Sequence, residues 1–206
     1  MRFKRKHQDR VNLGICIVLL MSLTAKLPGP KRQYEEITNP LLLQLRAITR
    51  PLPERKERAF YLSLINDKKI VDELYKYKGL IDLDLLAALI WSESRFKPTA
   101  LNKNKTPAGV IKSVDSGLLQ LNSASYPNHS FEELQKIETN IALGVQHFQK
   151  DLLFFKGDVK KALQAFNAGR TGVLKNPKIS SIYAKKVIDK AMQFKVEKAA
   201  FISKSL

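Results

Sequence analysis

Leu85 to Trp91 (LLAALIW) is an unbroken run of seven apolar residues. A helix with no polar position over two turns has no face to turn to water, so the run predicts a helix buried nearly all round. Asp82 and Asp84 ahead of it supply N-cap chemistry. Ser92-Glu93-Ser94-Arg95-Phe96 ends it, and Lys97-Pro98 stops it. Other helices follow from apolar spacing. Asn39-Pro40 opens one over Leu41–Ile48. Another restarts at Glu54–Leu64 after Arg50-Pro51-Leu52-Pro53, and a third covers Lys69–Tyr77 and closes at Gly79. Ile141, Val145, Phe148, Leu152 and Phe155 mark one face of a long helix. Val159, Ala162, Leu163 and Phe166 mark the next, capped by Asp158 and ended by Gly169, and Tyr183, Val187, Ala191 and Phe194 mark the last. Ala100–Asp115 reads as a polar loop with Pro107 and Gly109, and Ser116–Leu121 as a small apolar turn. No apolar period of two predicts a strand. The expected fold is mainly α, a central buried helix wrapped by others.

The first thirty residues differ in kind. MRFKRKHQDR is a basic run, and Leu13–Leu23 (LGICIVLLMSL) behind it is almost wholly apolar. Eleven residues suit the core of an export signal and fall short of the roughly twenty that cross a bilayer. A signal peptide or N-terminal anchor over 1–30 is expected, with the remainder in the periplasm or cell envelope. The division then runs 31–77 for an N-terminal helical extension, 78–196 for the main domain and 197–206 for a tail. Cys16 is the one cysteine and lies inside the leader, so the body has no disulfide. With His7, His129 and His147 scattered, no metal set is expected.

Thirty-six Lys and Arg against 19 Asp and Glu leave a net charge of +17. Such a chain is drawn to polyanions, whether nucleic acid, anionic membrane or cell-wall polymer. The lysines are spread along the chain with no aromatic-interleaved motif or reading helix, and the leader points outward, so no nucleic-acid partner is expected.

Glu93 is the residue with chemistry. A carboxyl at the end of an all-apolar helix loses water, which favours its neutral form. A carboxylic acid still protonated near neutrality is what acid-catalysed glycosidic cleavage requires. From Glu93 alone, a side chain reaching to solvent or pairing with Arg95 explains it as well.

Glu93-Ser94-Arg95-Phe96 is followed in order by Gly117-Leu118-Leu119-Gln120-Leu121-Asn122, Asn140-Ile141 with Gly144, Ala165-Phe166-Asn167-Ala168-Gly169, and Tyr183 with Val187. This series resembles the soluble lytic transglycosylase (SLT) domain of the lysozyme-like superfamily, over about Gly79 to Phe194. Asp115-Ser116-Gly-Leu-Leu-Gln-Leu-Asn is similar to the branch attached to secretion and conjugation machines, so such a machine is an expected partner. Phe166 stands where the family usually has Tyr, and Asn122 where it has Met. The resemblance implies an SLT-type helical domain and a single catalytic acid/base, Glu93. Substrate-binding positions are implied at Ser116, Gln120, Asn122, Asn167 and Tyr183, with the Tyr183 hydroxyl reaching toward the Glu93 carboxyl. Bottom-up, Gln120 and Asn122 could be turn residues, Asn167 a helix cap and Tyr183 a core aromatic. The implied reaction cuts the bond between N-acetylmuramic acid (MurNAc) and N-acetylglucosamine (GlcNAc) in peptidoglycan, closing a 1,6-anhydro ring without cofactor or metal.

Two other activities fit less well. A lysozyme-type hydrolase wants a second carboxylate. Asp115 is the candidate, but its neighbourhood favours a capping or loop role, in which Asp115→Asn retains most activity. An idle wall-binding or secretion-scaffold protein would have no need of Glu93.

Overall fold

The computed structural model describes residues 54–204. The leader, the linker after it and the helix expected over Leu41–Ile48 lie outside the described residues. Helix α1 (Glu54–Ile65) and α2 (Lys68–Tyr75) lead into α3 (Leu83–Ser94). Asp82 caps α3, its side chain accepting from the backbone of Asp84 and Leu85 at 2.8 and 3.1 Å. The apolar run makes α3 the centre of the fold. Leu86, Ala87, Ala88, Leu89 and Ile90 have no exposed surface, and only Leu85 and Trp91 are half-covered.

Three strands follow, β1 (Leu101–Lys105), β2 (Ile111–Ser116) and the short β3 (Leu121–Asn122), paired antiparallel in that order. A 3₁₀ turn at Ser123–Ser125 leads to α4 (Phe131–Gln135), α5 (Ile137–Phe154), α6 (Val159–Ala168), α7 (Arg170–Lys175) and α8 (Ser181–Lys204). The architecture is mainly helical, as expected, with a small three-stranded sheet added to it.

The sheet corrects the polar loop expected over Ala100–Asp115. Its strands bury almost no side chain, Ser116 being the one buried residue of the hairpin, so no apolar alternation marks them. The alternation is polar instead. Asn102 pairs with Asp115 and Asn104 with Ser113, which puts four polar side chains on one face of the ribbon.

Helices α1 and α2, within the stretch expected as an N-terminal helical extension, give Phe60, Tyr61, Ile70 and Leu74 to the same hydrophobic cluster as α3. Helix α8 continues to Lys204, through most of the stretch expected as a tail. It packs along both α3 and α1, burying Lys198 and Ile202. Its core positions run Val187, Phe194, Lys198, Ile202. A lysine in the series interrupts the apolar pattern that marks a helix.

The turn from Gly117 to Gln120 is held from beneath by Asn140, which is wholly buried. Its amide donates to the carbonyls of Ser116 and Leu134 at 2.9 and 2.6 Å and accepts from the Leu119 N–H at 2.7 Å. Gly117 has φ +78°, and a Cβ there would stand 2.3 Å from the Asn140 amide nitrogen. Gly144 is bare for a related reason, since a Cβ would meet Leu119 at 2.3 Å. Asn140→Ala strands three buried backbone groups, so it should lower unfolding free energy by about 3 kcal/mol. Urea titration checks this, and a loss below about 1 kcal/mol would show that the turn does not depend on Asn140.

Candidate active site

Glu93 lies in the last turn of α3. The neighbouring hydroxyls are spent on the helix itself, Ser92 donating to the Ala88 carbonyl at 2.8 Å and Ser94 to that of Ile90 at 3.1 Å. Arg95 and Phe96 then take left-handed backbone angles (φ 55° and 61°), which ends the helix and turns the chain away. Arg95 does not pair with Glu93. Its guanidinium stacks 3.3 Å over the Trp91 ring and donates to the Trp91 carbonyl at 3.2 Å.

The partner of Glu93 is Tyr183, whose hydroxyl donates a short hydrogen bond to Glu93 Oε1. Burial pushes the Glu93 carboxyl up to about 7. The Tyr183 bond works against that rise, and the negative charge of Asp115 adds to it. Burial and the Glu93 carboxylate together hold the Tyr183 hydroxyl far above its usual range, so it remains a donor.

This balance gives a prediction with a definite sign. Tyr183→Phe removes the one contact that favours the ionised carboxylate. Glu93 should therefore keep its proton to higher pH, and the alkaline limb of the activity profile should move upward. A limb left in place, measured on purified sacculi, would mean that the bond does not control the acid.

Asp115 is not a capping or loop residue. It lies in β2, and its carboxylate is gripped by three side-chain amides. Asn102 and Asn104 donate to Oδ2 at 3.1 and 2.9 Å, and Asn122 donates to Oδ1 at 2.6 Å. Ser113 fills in beneath, accepting from Asn104 at 3.2 Å and Asn122 at 3.0 Å. The site thus holds two carboxyls in contrasting surroundings, one in apolar burial with a single phenol, the other in a cage of amides.

Of the other expected residues, Asn122 bonds to this centre directly, through Asp115. Gln120 has φ 45°, unusual for a side-chain-bearing residue. Its amide explains the conformation by donating to the Gly117 carbonyl at 2.8 Å and to that of Ala100, in the chain leaving α3, at 3.1 Å. Asn122 holds Asp115 and also caps the 3₁₀ turn by accepting from the Ala124 N–H at 2.9 Å. Asn167 is exposed at the end of α6 and accepts from the Ser180 hydroxyl at 2.6 Å, three residues before Tyr183. Ser116 is not brought to the surface. It is wholly buried, and its hydroxyl finds no partner among the described residues. A substrate-binding Ser116 is therefore corrected to an interior position, because β2 runs inward beneath the turn at this point.

Asn102, Asn104 and Ser113 are the site residues that apolar patterning misses. Their signal is the polar period of two, Asn-x-Asn facing Ser-x-Asp across the hairpin. Clefts of about 480 and 360 Å³ elsewhere are lined by Glu57, Lys78 and Lys198 and by Tyr126, His147 and Arg170. Neither includes Glu93. No cluster of three His, Cys, Asp or Glu among the described residues could hold a metal ion.

A helical domain with a largely desolvated acid closing its central helix, beside a polar hairpin, is of the lysozyme-like class. The chain belongs to the transglycosylase SLT domain family, whose profile matches residues 73–188, more than half of the 206. Membership implies an enzyme that acts on peptidoglycan. Comparison with curated proteins and with solved structures gave no match.

Proposed function

We propose that the protein is a peptidoglycan lytic transglycosylase that cleaves the MurNAc–GlcNAc β-1,4 bond and releases 1,6-anhydro-MurNAc ends. The observation that carries this proposal is a Glu93 carboxyl held near pH 7 by burial and bonded to one phenol. Glu93 as acid gives its proton to the departing GlcNAc oxygen as the bond to MurNAc C1 breaks. The sugar left behind is electron-poor at C1. Its own 6-hydroxyl then adds to C1, and the hydroxyl proton returns to Glu93. One carboxyl serves twice, no water is consumed, and the enzyme ends as it began. Tyr183 steadies the carboxylate in the interval when it is charged. Gln120, Asn122 and Asn167 are the substrate contacts in this reading, and their amides suit N-acetyl and hydroxyl groups. Export or anchoring through residues 1–30, a place in the cell envelope and association with a secretion or conjugation machine belong to the same proposal.

Asp115 favours a second outcome, hydrolysis. A neutral acid beside a carboxylate held by hydrogen bonds is the paired arrangement of two-carboxyl glycosidases. The test is the product. Digestion of purified sacculi should release fragments one water lighter than reducing-end muropeptides. Reducing ends as the main product would make the enzyme a hydrolase, and no release at all would remove it from both classes.

A further inference from the structure

We propose that Lys198 is a positioning residue for Glu93: its contacts with Asp84, Glu57 and Tyr61 fix the register of α8 against α3, and through it the Tyr183–Glu93 hydrogen bond. The proposal rests on the assignment of Glu93 as the acid.

Three side-chain pairs run down the interface of α3 and α8. Glu93 meets Tyr183, Trp91 lies 3.9 Å beneath the Lys190 ammonium, and Asp84 meets Lys198 at 2.8 Å. As the α3 numbers fall, the α8 numbers rise, so the helices are antiparallel and are tied by polar groups at both ends. Apolar contacts fill the space between, with Ala184, Val187 and Phe194 of α8 in the same cluster as Leu86, Leu89 and Ile90. Apolar burial is non-directional, whereas hydrogen bonds and ion pairs fix particular atoms against one another. The polar ties at the two ends supply that directional constraint here.

At the far end the ties are complete. The Lys198 ammonium donates to Asp84 Oδ2 at 2.8 Å, Glu57 Oε1 at 3.2 Å and the Tyr61 hydroxyl at 3.3 Å, one partner for each of its three N–H groups. Tyr61 donates to the other Asp84 oxygen at 2.7 Å. Lys78 covers the second Glu57 oxygen at 2.9 Å. Burial works to raise the Glu57 carboxyl, and Lys78 and Lys198 outweigh it and hold the group below its ordinary value. Burial and the bond to Asp84 push the Tyr61 hydroxyl well above its own usual range, which keeps it a donor. Lys198 thus stands between two carboxylates, and Lys78, which also lies 3.8 Å from Glu54, supplies the second positive charge. Sliding α8 by part of a turn would pull the Lys198 ammonium away from Asp84, Glu57 and Tyr61 together. Such networks add little to stability compared with apolar side chains of the same size, and a fixed geometry is the use that remains.

The geometry fixed here is the one that catalysis feels. A displacement of about 1 Å at a reacting group can cost a hundredfold in rate. Lys198 and Glu57 both lie outside the matched residues 73–188, so the device comes from the flanks of this chain.

The experiment uses the full-length protein with carboxyl-labelled glutamate, following Glu93 by NMR titration without substrate, and kcat and KM on soluble glycan strands. Lys198→Met keeps the apolar stem and removes the ammonium. Its Glu93 midpoint should rise, as in Tyr183→Phe, and kcat should fall about tenfold with little change in KM. The double variant Lys198→Met/Tyr183→Phe should match Tyr183→Phe alone, because both changes act through one hydrogen bond. If Lys198→Met does not fold, Tyr61→Phe removes two contacts of the network without a charge and should shift the same midpoint less. An unmoved Glu93 midpoint, or losses that add in the double variant, would reduce the network to a fold-stabilising role. An inactive wild type would overturn the enzymatic proposal instead, and the titration would still decide the role of Lys198.

Discussion

Glu93→Gln should abolish turnover of peptidoglycan while making the folded protein more stable above neutral pH. Gln keeps the shape and accepts from Tyr183, but it has no proton to give. Removal of a positioned general acid costs about 10²- to 10⁴-fold, and here the same group also has to act as base. The stability change follows from linkage. The Glu93 carboxyl is raised from 4.5 to about 7 in the fold, so the folded state holds its proton more tightly than the unfolded chain. That contribution is fully present below pH 4.5 and is lost as pH rises through 7. Two to three pH units correspond to the order of 3 kcal/mol. Gln never ionises and escapes the loss. Thermal melts at pH 5 and pH 8 should therefore converge in the variant, in respect of this group, and diverge in the wild type. A Gln variant that clears sacculi at the wild-type rate would remove Glu93 from the mechanism. An active site that destabilises its own fold to keep an acid protonated is the usual trade between stability and function.

The helices were legible because their cores are apolar and periodic. α3 could be placed from one run of seven residues, and the caps at Asp82 and Asp158 from their position before apolar runs. Glu93 and Tyr183 were legible only together. The apolar run predicts a desolvated acid, but a partner ninety residues away cannot be found by spacing, and it came from the resemblance. What escaped are polar elements doing structural work. The hairpin is specified by amides and a carboxylate rather than by buried apolar side chains. Lys198 stands at a core position of α8 because the buried Asp84 and the partly buried Glu57 await it, and the pattern therefore reads as the end of a helix. In each case the missing information is the partner across space, which turns a polar residue from a sign of solvent into a sign of interior order. Asp115 belongs to the same group. Its acceptor sites are filled from two other strands, so a local sequence motif suggests a turn where the fold builds a cage.

Asp115→Asn should cost most of the activity, contrary to what a turn residue would allow. Three N–H donors converge on the Asp115 carboxylate from Asn102, Asn104 and Asn122. An amide in its place offers one oxygen instead of two, and turns an N–H₂ group toward at least one of those donors. It also removes the negative charge that helps keep Glu93 protonated, so the alkaline limb of the activity profile should move down in pH. That is opposite in sign to the movement expected of Tyr183→Phe. The charge matters a second time during the reaction. As the glycosidic bond breaks, positive charge develops at the sugar, and a fixed carboxylate near the acid lowers the energy of that state in either reaction. The expected loss is about a hundredfold or more. The residual product separates the two roles left to Asp115. If it serves only as a charge, the variant still releases anhydro ends, more slowly. If it activates water or attacks the sugar, the wild type releases reducing ends and the variant releases almost nothing. Mass spectrometry of fragments from both proteins distinguishes these outcomes. An Asp115→Asn enzyme with wild-type rate and an unmoved pH limb would show that the cage serves the hairpin alone.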